Sequence, residues 1–151
     1  MKKPKIKISL SLAVIVMLAW VAGCATMSDV LIAKDEGKGT TQVYPVSADQ
    51  AWEIAITVFR WEGADAIEQH RSEGYMLTSS HADGITPTAG AFMGAWIESI
   101  EQGTTKVTVV TKRRVATNIA TTLTETTFHK RFAQAVERIK KGERLPSKPP
   151  E

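Results

Sequence analysis

Two rhythms of apolar residues organise this chain. Between Ala48 and about Trp61, Ala51, Ile54, Ala55, Val58 and Phe59 recur at helical spacing, which predicts an amphipathic helix with one buried stripe. Ser47 and Gln50 form a capping-box pattern at its start, Asp49 places negative charge in its first turn, and Gly63 offers a stop. A second stripe, Phe128, Phe132, Ala135, Val136 and Ile139, predicts a long helix running to about Lys141. The pair Thr122 and Glu125 suggests its capping box, and Lys140 and Lys141 complement the dipole at its end.

The other rhythm has a period of two. Thr41 to Val46 reads as a short strand, and four more follow at roughly Ala64–His70, Tyr75–His81, Gly94–Glu101 and Thr105–Val115. Ser72-Glu73-Gly74 and Gln102-Gly103-Thr104 provide hairpin-like turns. In the last strand Val107 and Val109 share one face, while Thr108 and Val110 share the other. The order β-α-β-β-β-β-α predicts a single α+β domain over residues 41–141, with two helices packed on one face of a twisted antiparallel sheet.

The first 23 residues follow different rules. Lys2, Lys3, Lys5 and Lys7 precede an apolar run of about 13 residues, and Ala22 and Gly23 are small. That run falls short of the roughly 20 residues a membrane-crossing helix requires. Val21-Ala22-Gly23-Cys24 then supplies the only cysteine in the chain. This stretch resembles the signal of bacterial lipoproteins. The resemblance implies cleavage between Gly23 and Cys24, with covalent diacylglyceryl and acyl lipid on Cys24 as the only attached group. Two or three acyl chains hold a protein stably on a membrane. By the same likeness, Ala25 in the place of an aspartate implies export to the outer membrane of a two-membrane cell, with the domain facing the periplasm.

Removal of such a leader changes the charge. Four of 19 basic residues depart with it, leaving 15 against 16 acidic ones, a net charge of about −1. A basic face for nucleic acid is therefore not expected, and a lone cysteine allows no internal disulfide. Residues 24–40 read as an acylated start and polar tether, with a root-mean-square span of about 22 Å and an extended reach of about 55 Å. Residues 142–151, with Pro146, Pro149 and Pro150, read as a polar tail.

Over about Thr41 to Lys141 the element order is similar to that of small uncharacterised envelope lipoproteins and, more distantly, to helix-grip domains of the BamC type. The likeness implies this fold and an envelope setting.

Chemistry-bearing residues are sparse. His70, His81 and His129 lack metal-site spacing, although His70 and His81 could meet across a hairpin beside Asp83. Glu98 and Glu101 read as solvent-facing charges. Gly84, Gly90 and Gly94 lack the Lys-Ser/Thr ending of a phosphate loop. No serine sits in a Gly-x-Ser-x-Gly elbow, so no metal, cofactor or catalytic group is expected.

Two segments invite contact. Ile85 to Trp96 is unusually apolar for a connection, and Phe92, Met93 and Trp96 are candidates for touching a partner or ligand; the alternative is the start of a core strand. Lys112-Arg113-Arg114 ends a strand, with Lys112 and Arg114 on one side as candidate lipid-headgroup contacts, or as guards of a sheet edge. The function expected is a membrane-anchored, non-catalytic binding or scaffolding module with an envelope protein partner. The alternative is a periplasmic carrier of a lipid or other small apolar ligand.

Overall fold

A computed structural model describes residues 25–80, 90–114 and 124–150. The leader, Cys24, His81, Asp83, Thr122 and most of the apolar connection before Gly90 lie outside these residues. The elements in chain order are α1 (Met27–Asp35), β1 (Thr40–Tyr44), α2 (Ala48–Trp61), β2 (Ala64–His70), β3 (Tyr75–Ser80), β4 (Ala91–Glu101), β5 (Thr104–Arg113) and α3 (Glu125–Lys140). The strands form one antiparallel sheet in the order β1-β5-β4-β3-β2. The α+β class and the expected succession β-α-β-β-β-β-α are both present.

The two stripes read from the sequence face the same side of the sheet. Ala51, Ile54, Ala55, Val58 and Phe59 of α2 are buried, as are Phe128, Phe132, Ala135 and Val136 of α3. They meet Met76, Met93, Ala95, Val107 and Val109 from the strands. Phe59 lies 5.1 Å from Phe128, ring centre to ring centre, so the two helices interlock directly over the sheet. Ser47 caps α2 as its sequence implies: its hydroxyl accepts from the Gln50 amide at 3.2 Å, and Gln50 Oε1 accepts from the Ser47 amide at 3.1 Å. Strand β1 stops at Tyr44, two residues before the expected Val46, because Pro45 has no N–H to offer a ladder.

The largest departure lies in the expected tether. Met27–Asp35 is a helix, and it packs on the face of the sheet opposite α2 and α3. The amide and hydroxyl of Thr26 both donate to Asp29 Oδ2, at 2.6 and 2.8 Å, which ties its first turn. Val30 and Ala33 bury against Leu77 and Val110, with Met27, Leu31, Tyr75, Phe92 and Trp96 packed around them. The sheet thus has helices on both faces, which explains why β4 is apolar on both sides and starts at Ala91 rather than Gly94.

Gly94 is what lets α1 approach. A Cβ placed there would lie 2.6 Å from the Trp96 ring and 3.0 Å from Val30 Cγ1. The Trp96 side chain folds across the glycine, and α1 settles on the resulting surface.

The expected tail is also packed. Leu145 rests on the main core, Trp61 Nε1 donates to the Pro146 carbonyl at 3.0 Å, and Arg131 donates to that of Pro150 at 3.3 Å. At the start of α3 the cap is Thr124, whose hydroxyl accepts from the Thr127 amide at 3.2 Å. Glu125 is consequently the first helical residue, not the third. Its carboxylate accepts from the Thr111 amide at 3.0 Å and the Thr40 hydroxyl at 2.6 Å, fastening α3 to β5 and β1.

Replacing Gly94 with Val is expected to lower stability by about 1–3 kcal/mol through overpacking. It should also loosen α1, seen as faster proteolytic cutting within residues 27–35 while β5 stays resistant. An unchanged melting temperature and cutting rate would contradict the packing described.

Candidate functional site

Alternation along β4 divides the candidate contact residues between two faces. Phe92 and Trp96 point to the α1 side and are half-buried, whereas Met93 points into the main core and is fully buried. The expectation of a three-residue contact surface is corrected accordingly: two rings share a surface, and Met93 is a core residue. Within the segment, Ala91–Trp96 opens strand β4, and residues 85–89 lie outside the described residues.

Phe92 and Trp96 belong to an aromatic and cationic rim around α1. Arg114 Cζ sits 4.5 Å above the Phe92 ring, and Lys34 Nζ sits 5.6 Å from the Trp96 ring centre. Trp96 stacks on Tyr75 at 5.9 Å, and Tyr75 on His70 at 4.5 Å. His70 Nε2 lies 2.7 Å from Glu68 Oε1, so this histidine has a carboxylate neighbour on its own strand. The other half of the expected histidine pair, His81, lies outside the described residues. Among the described residues, no group of three or more His, Cys, Asp or Glu is placed to hold a metal ion.

Lys112 is the cross-strand partner of Phe92 and so shares the α1 face; Arg114 reaches the same face through its stack. Arg113 pairs with Ala91 and is exposed on the other side. Because β1 pairs only as far as Val109, β5 beyond it has no described strand on that side, and these basic residues stand at a locally open edge of the sheet, as a guarded edge would have them. Gly90 accepts from the Arg114 amide at 3.1 Å, and the Arg114 carbonyl accepts from the Ala25 amide at 3.2 Å. The first described residue is therefore attached to this basic end. Glu98, by contrast, pairs with Lys106 across the hairpin, and Glu101 is exposed beyond it.

A second polar group is buried between α3 and β1. His129 Nε2 donates to the Thr40 carbonyl at 3.0 Å, which leaves Nδ1 to accept from the Tyr44 hydroxyl at 2.8 Å. Burial lowers the pKa of His129 and raises that of Tyr44, so both stay neutral through the physiological range. Each satisfies the other, and the pair works as a neutral staple between helix and strand. Neither group has the exposure that proton exchange with a substrate requires.

Nearby, Arg131 Nε approaches Glu62 Oε1 to 2.5 Å. Burial still raises the Glu62 pKa, against the opposing pull of the Arg131 charge. A groove of about 610 Å³ runs along the outer side of α3, lined by Gln134, Glu137, Arg138, Lys141, Glu143 and Pro150. It is open and strongly charged. The rim, the basic end and this groove are exposed features of the described surface.

No family model, curated protein or solved structure matches this chain.

Sequence reasoning placed Lys112 and Arg114 on one side correctly but missed the Tyr44–His129 staple. Its partners are 85 residues apart, and nothing local to either signals the pairing.

A pH effect follows from the staple. The folded-state pKa of His129 is depressed, so below about 6.5 the unfolded chain binds a proton that the native chain resists. The stabilisation contributed by neutral His129 is complete above that value and falls as pH drops. His129→Asn, which cannot titrate, should lower stability by about 1–3 kcal/mol at neutral pH. Its gap from the wild type should narrow on acidification, as read by denaturant unfolding at pH 7.5 and pH 5.5 (about two units apart on the linkage scale). A gap that widens on acidification would exclude the neutral pair.

Proposed function

We propose that this chain is a lipid-anchored envelope protein, cleaved before Cys24 and acylated on it, whose domain is a non-catalytic binding or scaffolding module. The observation that carries the reading is the bond made by Ala25. The chain is bonded into the sheet from Ala25, the residue immediately after Cys24, through its amide and the Arg114 carbonyl. A residue bonded into the domain one position after Cys24 suits a mature protein whose first residue is the modified cysteine. The lipoprotein-like leader and the absence of a second cysteine agree with it. The outer membrane, facing the periplasm, is the location this reading carries with it.

The module reading draws support from the filled interior. A carrier would keep open space between the sheet and its helices, yet Phe59, Phe128, Phe132, Ile54, Met76 and Met93 are fully buried in that layer. The grooves beside α3 include the charged side chains Lys130, Arg131, Glu137, Arg138, Lys141 and Glu143, and lie outside that layer. Recognition of an envelope protein partner would then use surface features such as the rim of Phe92 and Trp96.

The anchor is tested by substituting Cys24→Ser in cells fed radiolabelled palmitate. Wild-type protein should be labelled, processed and recovered with membranes. The variant should be unlabelled and retain its leader, with a correspondingly larger mass. Equal labelling of the two proteins would refute the anchor.

A further inference from the structure

The point at which the chain enters the domain fixes how close an anchor on Cys24 holds the protein to its membrane. The expected 16-residue tether does not exist as free chain: Ala25 is bonded to Arg114, and Met27–Asp35 is packed on the sheet. One peptide unit separates Cys24 from the end of β5. That end carries three consecutive basic residues, Lys112, Arg113 and Arg114.

The described acidic groups that interact with the Lys112 charge are Asp29 and Glu36, and Glu36 pairs with Lys38 at the surface. Asp29 accepts from both the amide and hydroxyl of Thr26, and Glu125 accepts from Thr40 and from the Thr111 amide. Arg113 is exposed, and Lys112 is half-exposed beside Phe92. Among the described residues, Ser80 at the end of β3 and Gly90 before β4 carry no charge.

Resting on the anchor assigned above, we infer that the β5 end is a headgroup-binding collar. Lys112, Arg113 and Arg114 would contact anionic phospholipid phosphates, so that the domain stands upright with its β4–β5 turn directed away from the bilayer. Charge complementarity and the exit point of the chain select the same end of the molecule. A basic residue near an anionic surface gains roughly fivefold in local binding, and the three act together because the anchor holds them within a Debye length. The β4–β5 turn lies about 30 Å away along the strand.

The full chain carrying Gln102→Cys, labelled with a fluorescent donor on the introduced thiol, is reconstituted into vesicles with an acceptor on the lipid headgroups. In vesicles of phosphatidylglycerol with phosphatidylethanolamine, energy transfer should be low. It should rise about twofold or more in phosphatidylcholine vesicles, and also in anionic vesicles when Arg113→Glu lets the domain lean over. Arg113 is exposed and its side chain supports no packing, so this variant should fold, with an unchanged far-ultraviolet circular dichroism spectrum. Equal transfer across both lipid compositions and both proteins would overturn the collar.

Intact mass reports acylation of Cys24 separately. If that mass shows no lipid, the same chain is floated with the two kinds of vesicle. The collar then predicts binding to the anionic vesicles alone, with the bound-to-free ratio about 25-fold lower for Arg113→Glu, which removes one positive charge and adds a negative one. Equal flotation would overturn it.

Discussion

The close packing of α1 onto the sheet at Gly94 is the contact on which the rest of the molecule depends. The main core is thick and redundant, with two helices over five strands. Among the described residues, the second face has Val30 and Ala33 buried over Leu77 and Val110, helped by half-buried Met27, Leu31 and aromatic residues. Gly94 lets Trp96 fold flat and brings Val30 close; without that approach, apolar side chains on β3, β4 and β5 would face water. The same packing draws Ala25 against Arg114, so the covering of the second face and the placing of residue 25 at the end of β5 are one structural event.

Much of the fold was legible because α2 and α3 bury single, uninterrupted stripes. Ser47 and Gln50 sit where a cap needs them, and Gly63 adopts the left-handed conformation at φ +79° that only glycine takes without strain. Helix α1 was hidden for the opposite reason. Met27, Val30, Leu31, Ile32 and Ala33 spread around its circumference, and Ile32 remains 54% exposed, so no stripe separates a buried side from a wet one. Its burial is decided by Gly94 and Leu77, residues more than 40 positions away in the chain. Helix α3 starts at Glu125 because the carboxylate is recruited by Thr40 and Thr111, a tertiary preference that several neighbouring threonines cannot reveal.

The candidate surfaces were legible in part for similar reasons. Alternation correctly grouped Lys112 with Arg114, yet Phe92 and Met93 are adjacent in sequence and therefore opposite in space. Reading them as one patch treats a strand as a loop. The buried staple is a long-range product of β1 and α3 meeting, and its chemistry is visible only when Tyr44, His129 and Thr40 are seen together. What emerges is a domain whose described interior holds both a neutral Tyr44–His129 pair and a buried Glu62–Arg131 ion pair, each tying α3 to another element.

The central claim, that residues 25–35 belong to the folded body and are not a tether, is tested most directly by hydrogen exchange of the intact chain. Amides of Val30 to Ala33 are predicted to be protected on the same timescale as those of β5, and the Ala25 amide to be slowed by its bond to Arg114. Exchange across residues 25–35 at the rate of free peptide, with β5 still protected, would contradict the account.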